Sequence, residues 1–233
     1  MKTTEDYLAK HYIHRSNWLR AMVLGANDGI ISISSLAIGV ASAGTARPEL
    51  MLATVASLVA GALSMAAGEY VSVSSQTDIE QGDIERERKE LLEAPEEELQ
   101  MLALIYRQRG LSEETAMQVA RELTHHDALG AHIRDELGIT DQSQANATQA
   151  AITSGGAFVA GGILPLLVTL LAPLSSVQYW LYGTTILALI LLGIVSAKTG
   201  GANVGKAVLR ITVWGTIAMG ISAFVGYLFG VQP

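Results

Sequence analysis

The chain has 233 residues, half of them hydrophobic and only 16% charged, with a formal net charge of −7 and no cysteine. A soluble domain carries about 25% charged residues, so the composition points to a membrane protein, and the missing thiols exclude disulfides, thiolate zinc sites, iron–sulfur clusters and covalently attached haem. Residues 76–141 hold 17 Asp/Glu against 7 Lys/Arg while the remainder is mildly basic, so an acidic insert interrupts an apolar chain that has no basic patch for nucleic acid.

The opening "MKTTEDYLAKHYIHRSN" is polar, lacks an apolar core ending in a cleavage site, and is read as carrying no signal peptide. The first span is expected over Trp18–Ser42 and contains "LGANDGIISISSLAIG". A carboxylate in hydrocarbon costs roughly 2.5–3.5 kcal/mol on insertion scales, so Asp28 is a functional candidate by position alone. Ser32 and Ser35 share its helix face. After "AGTARPE", with Gly44 and Pro48 as turn residues, the second span is expected over Leu50–Ser75. It carries a second acid, Glu69, on a face with Met65, Ser72 and Gln76. Counting from Arg20 and Asp78, at 1.5 Å per residue, puts Asp28 and Glu69 at a similar depth of about 12–13 Å. Carboxylates, hydroxyls and one thioether suit a borderline divalent cation such as Fe²⁺ or Mn²⁺.

The insert reads as helices. "TDIEQGDIERERKELLEA" has no proline before Pro95, and a continuous helix through it carries an acidic stripe of Gln76, Glu80, Asp83, Glu87 and Glu90 on the side of Glu69. "APEEELQMLALIYRQRG" opens with proline and acids and closes on Arg and Gly. Ser112 is an N-cap for "LSEETAMQVARELTHH", and "DALGAHIRDELGI" follows, with Gly110 and Gly138 as stops. Drawn on one straight helix, Glu122, His125, His132 and Glu136 share a face, and Glu122–His125 has the Glu-x-x-His spacing of carboxylate-bridged iron sites. Only one such motif occurs, which favours surface histidines over a di-iron centre.

Three more spans are expected: Ala147–Ala172, Val177–Ala197 and Val208–Phe229. The glycines of "TSGGAFVAGGILP", and Ala218, Ser222, Gly226 and Gly230 at every fourth position, permit close packing within the chain or between copies. Lys2, Lys10, Arg15 and Arg20 flank the first span, and Lys198, Lys206 and Arg210 the junction of the fourth and fifth. The positive-inside rule then puts the N-terminus and insert in the cytoplasm and the C-terminus outside. The expected protein is all-α, with five transmembrane helices and a cytoplasmic helical metal-binding domain inserted between spans 2 and 3. Its parts are residues 1–75, 76–145 and 146–233.

"HYIHRSNWLRAMVLGANDGIISISSLAIGVASAG", "VAGALSMAAGEYVSVSSQTD" and "HDALGAHIRDELGI" resemble the vacuolar iron transporter family over essentially the whole chain, in a form similar to its bacterial branch. The resemblance implies a homodimeric, proton-coupled exporter of Fe²⁺, or Mn²⁺, with no prosthetic group. It is expected in a bacterial plasma membrane, or a vacuolar membrane if eukaryotic. It also implies that Asp28 and Met65 line the pathway, with Glu69 close by; the helix faces add Ser32 and Gln76. In the insert it implies metal ligands among Glu87, Glu90, Glu98, Met101, His132, Asp135 and Glu136, and the acidic stripe adds Glu80 and Asp83. Glu87 and Glu90 match the family's first Glu-x-x-Glu pair. Met101 replaces one acid of the second, and His132-Ile133-Arg134-Asp135-Glu136 alters the last motif. The rival readings are a membrane-tethered iron buffer or sensor that transports nothing, and a ferroxidase using Glu122 and His125.

Overall fold

A computed structural model describes residues 16–139 and 146–230, with side chains from residue 20 onward. Lys2, Lys10, Arg15 and Asp141, which entered the charge arguments, and the Trp18 side chain lie outside the described residues. Seven α-helices follow one another: α1 (Ser16–Ser42), α2 (Arg47–Glu93), α3 (Pro95–Gln108), α4 (Glu113–Asp135), α5 (Ala147–Leu171), α6 (Val177–Thr199) and α7 (Val204–Gly230). No strand occurs among the described residues. α1, α2, α5, α6 and α7 are each long and apolar enough to cross a membrane. The second expected span is the start of a 47-residue helix, α2, that continues without a break through the acidic stripe.

The described residues form two compact units that divide within α2: residues up to 71 with those from 147 onward, and residues 72–146. In the first unit α1 is the hub. Buried Ala37 and Ile38 pack with Leu50 of α2, Val177 and Leu181 of α6 and Met219 of α7. Buried Ile33 packs with Leu58 of α2 and Phe158 of α5.

Lipid tails are as apolar as Leu, so helices in a bilayer gain little by hiding leucines and associate through close van der Waals approach. α1 does this on two sides. A Cβ at Gly25 would strike the Ser154 carbonyl, and one at Gly29 the Phe158 carbonyl, both on α5. On the other side, a Cβ at Gly226 of α7 would strike the Gly39 carbonyl, and one at Gly230 would lie 3.0 Å from the Ala43 oxygen. The four-residue ladder on α7 is therefore used inside the chain, against α1. Two side-chain hydrogen bonds tie α1 to its neighbours α7 and α6. Ser222 Oγ donates to the Ser35 carbonyl at 2.5 Å, and Ser34 and Thr185 share a buried hydrogen bond of 2.6 Å. At the start of α2, Arg47 donates to the carbonyls of Thr169, Leu170 and Ala172, at 2.7, 2.8 and 2.5 Å. These belong to the last turn of α5, whose carbonyls have no intrahelical donor.

The second unit packs α3 against α4 around buried Leu102, Ala103, Ala120 and Ala131. Its boundaries follow the expected signals. Pro95 occupies the first turn of α3, Gly110 and Gly138 take φ of +101° and +68°, and Ser112 Oγ accepts from the Thr115 amide at 3.3 Å. One expectation fails here. α4 is interrupted at Asp127, whose backbone is extended (φ −162°, ψ 87°). Its Oδ1 accepts from the Gly130 amide at 3.0 Å, so Asp127 caps a second helical segment. Glu122 and His125 therefore do not share a straight helix face with His132 and Glu136.

The backbone contacts set a testable asymmetry between glycines. Gly29→Ala is expected to lower the thermal stability of the detergent-solubilised protein by about 1–3 kcal/mol, the usual cost of overpacking. Gly183→Ala on α6, where a Cβ meets nothing within 4 Å, should leave the melting temperature unchanged or slightly raised.

Candidate metal centre

Three carboxylates and one imidazole converge within the second unit: Glu87 from α2, Glu98 from α3, and His132 and Glu136 from the second segment of α4 or its C-cap. Each helix contributes through its own local chemistry. Glu87 is on the inward face of the "ERERKE" run, whose neighbours turn outward and pair locally, as Arg86 does with Asp83 at 3.3 Å and Arg88 with Glu85 at 3.6 Å. Glu98 closes the acidic first turn of α3. Capping at Asp127 starts a new helical segment that buries Ala131 and His132.

The geometry is crowded. His132 is fully buried and Glu87 nearly so. The His132 Nδ1 atom lies 2.8 Å from Glu136 Oε2, 2.9 Å from Glu87 Oε1 and 3.7 Å from Glu98 Oε2. One nitrogen carries at most one proton. Hydrogen-bonding geometry is met only towards Glu136, and Glu87 Oε1 is left buried without a hydrogen bond. Burial, and then the Glu136 charge, push the Glu87 carboxyl above the usual carboxylate range; His132 pulls the other way, and Glu98 and Glu90 add to the rise. Glu98 is raised in the same order of causes, burial first and Glu136 second.

Such a cluster of like charges calls for a cation. The four ligand atoms lie within 4.8 Å of one another. Opposite ligands of one ion bound at about 2.1 Å would be about 4.2 Å apart, so a contraction of a few tenths of an ångström brings all four onto a single divalent ion. One imidazole nitrogen among carboxylate oxygens fits Fe²⁺, Mn²⁺ or another first-row dication. His132 Nε2 is buried and makes no hydrogen bond among the described residues. A metal on Nδ1 moves the ring proton to this atom, away from the charge.

The other expected ligands are placed elsewhere. Asp135, next to Glu136, faces away from the cluster. It binds Arg109 at 2.6 Å and the Tyr106 hydroxyl at 2.9 Å. Burial alone would raise its carboxyl, but these hydrogen bonds and the Arg109 charge outweigh it and hold the group low. Met101 is exposed and lines a shallow groove between α3 and α4 with Glu97, Arg107 and Met117. Glu80 accepts from Gln76 at 2.9 Å, Asp83 pairs with Arg86, and Glu90 is exposed. Glu122 is exposed and accepts from Gln118 at 3.0 Å. The expectation of surface histidines holds for His125 and fails for His132.

In the first unit, Asp28 is half-buried and accepts a short hydrogen bond from Ser32, one turn on, at 2.5 Å. Neighbouring Asn27 Oδ1 is buried and without a hydrogen bond among the described residues. Only the packing isolates this amide. Met65 packs beside Ile33, Leu58 and Phe158, and Glu69 is half-buried on the same helix.

Comparison with known proteins agrees over nearly the whole chain. A model of the VIT family matches residues 19–227. A vacuolar iron transporter of Acanthamoeba castellanii is 45% identical over 222 residues, covering 94% of this chain and 81% of the relative. Vacuolar iron transporter homolog 1 of Oryza sativa subsp. japonica is 34% identical, covering 95% and 78%. Homolog 2.1 of Arabidopsis thaliana is 31% identical, covering 92% and 84%.

The raised carboxyls give a sign to the pH response. A carboxylate raised in the folded state weakens folding once ionised, so the strain from Glu87 and Glu98 is absent at acid pH and sets in as pH rises through their raised values. Metal-free protein is expected to melt higher at mildly acid pH than at pH 7.5, with Fe²⁺ or Mn²⁺ restoring the difference at pH 7.5. Glu87→Gln should raise the metal-free melting temperature and remove most of the metal-induced gain. Asp135→Asn loses bonds made by a carboxylate held low, which operate throughout this range, so it should cost about 1–3 kcal/mol of stability, read as a lower melting temperature, and leave the metal-induced gain intact.

Proposed function

The chain belongs to the VIT family, and from that premise we propose that this integral membrane protein is a homodimeric, proton-coupled exporter of Fe²⁺ or Mn²⁺ from the cytosol. The observation that carries the reading is the buried convergence of Glu87, Glu98 and Glu136 on one imidazole nitrogen of His132. A resident of that site is a dication taken from the compartment the insert faces. In this proposal residues 76–145 are the cytoplasmic metal-binding domain between residues 1–75 and 146–233. The N-terminus is cytoplasmic and the C-terminus outside, as the basic residues favour. The membrane is a bacterial plasma membrane, or a vacuolar one in a eukaryote.

In the proposed path the acids Glu80, Asp83 and Glu90 raise the local concentration of cations, the buried cluster holds one, and the ion passes to Asp28 and Glu69. Met65, Ser32 and Gln76 provide further donors. Moving a dication out against about 100 mV costs about 4.6 kcal/mol, twice the roughly 2.3 per charge. No phosphate-binding loop motif is present in the sequence to couple ATP. Two protons entering per ion cancel that cost, and each unit of pH gradient adds about 1.4 kcal/mol per proton. Metal and proton compete for the same carboxylate oxygens, which makes Asp28 and Glu69 the exchange points.

The same cluster also serves a second reading, a membrane-tethered buffer that binds metal and moves none. The ferroxidase reading still rests on a single Glu-x-x-His motif, whose two residues, Glu122 and His125, are exposed.

Flux in proteoliposomes separates the two. Fe²⁺, Mn²⁺, Co²⁺ and Zn²⁺ are offered with and without a pH gradient. The exporter reading expects gradient-dependent uptake of Fe²⁺ or Mn²⁺, and at least a tenfold loss in Asp28→Asn. Metal binding with no flux in any condition would establish the buffer, and wild-type flux in Asp28→Asn would remove Asp28 from the path. Glu87→Gln should slow flux mainly at low metal concentration, where capture limits the rate.

A further inference from the structure

Two apolar grooves indent the first unit. One, of about 470 Å³, lies between α1, α5 and α6 and is lined by Val23, Ala26, Ile152, Gly156, Leu192 and Val195 among others. The other, of about 420 Å³, lies around Leu167, Pro173 and Trp180. The first has open space along its floor, since a Cβ added at Gly156 would meet nothing within 4 Å. Its wall on α5 runs from Ile152 to Ala160. That is about 12 Å at 1.5 Å per residue, most of the roughly 15 Å of hydrocarbon in one leaflet.

The grooves differ in the charges at their mouths. As the first and fourth of five spans, α1 and α6 cross in opposite senses, and Ser34 of one bonds Thr185 of the other, so Met22 and Ser196, which both line the first groove, stand at a similar level. Arg20 stands three residues before Val23, and Lys198 three after Val195, the spacing at which side chains on a helix are neighbours. Both are exposed, and neither makes an ion pair among the described residues. At the second groove the nearby base is Arg47, whose guanidinium is committed to the carbonyls of Thr169, Leu170 and Ala172.

We propose that the first groove is a binding site for an anionic diacyl phospholipid, with one acyl chain in the groove and the headgroup phosphate held by Arg20 and Lys198. Basic residues at the membrane surface between spans recognise anionic headgroups in this way, each favouring them by about fivefold. A second copy of the same face would instead bring four of these cations to one level, because a twofold interface repeats each residue. The site is independent of which ion crosses the membrane.

The test uses the full-length protein in phosphatidylcholine vesicles. Trace phosphatidylglycerol or phosphatidylcholine carries a photoreactive diazirine in one acyl chain, and adducts on residues 152–160 are quantified by mass spectrometry. The expected result is labelling at least tenfold stronger from phosphatidylglycerol. In Arg20→Gln/Lys198→Gln, two exposed positions, the two lipids should label equally. Gly156→Leu, filling open space, should suppress adducts there from both lipids and spare those around Leu167. Equal labelling in the unmodified protein, or a preference that survives the double substitution, would overturn the proposal. So would protein–protein cross-links in place of lipid adducts, which would mean a second copy covers the face.

Discussion

The contact on which the membrane unit depends is a backbone one. With no hydrophobic force to bring spans together, α1 can be the hub only because its small residues let α5 and α7 approach closely on two sides. Gly25 and Gly29 bring α5 against the turn that holds Asn27 and Asp28. The polar pair therefore sits beside one of the close backbone approaches. Among the described residues Asp28 accepts a hydrogen bond from Ser32 on its own helix. A carboxylate kept at such a position with a single hydroxyl has acceptor capacity to spare.

The acidic unit solves a different problem. There, water is available and most acids can be left in it, as Glu90, Glu96 and Glu97 are. Glu87 is the exception, and its burial beside two more carboxylates is costly in the absence of a cation. Two neighbours of the cluster show how the fold sorts its acids. Asp135 is taken out of contention by Arg109 and Tyr106, while Glu136, one residue on, stays with His132. In the proposed site, what singles out an acid as a ligand is the lack of a partner inside the protein, and total charge is a poor guide to it.

Much of this was legible in the chain. Hydrophobic run lengths placed five spans, and Pro95, Ser112, Gly110 and Gly138 marked the helix ends of the insert, because caps and left-handed glycines are local chemistry. Periodicity correctly put Glu87 on a face of its own helix. It failed where the backbone left its period. Asp127 reads as an ordinary helix residue unless its reach to the Gly130 amide is recognised as a cap, and that one break separates His125 from His132. Spacing alone could not show that Arg109, 26 residues away, claims Asp135. The partner of the α7 small-residue ladder was equally hidden, since the same spacing serves a neighbour in the chain or a second copy.

Arg47 has a consequence of its own for the architecture. It joins the start of α2 to the end of α5 across more than 120 positions of sequence, so the two spans on either side of the acidic insert are fastened to each other directly at the ends where the insert is not. The insert is thus a loop hung from an already closed frame. A change in its length or its acids therefore leaves this tie between the two spans in place.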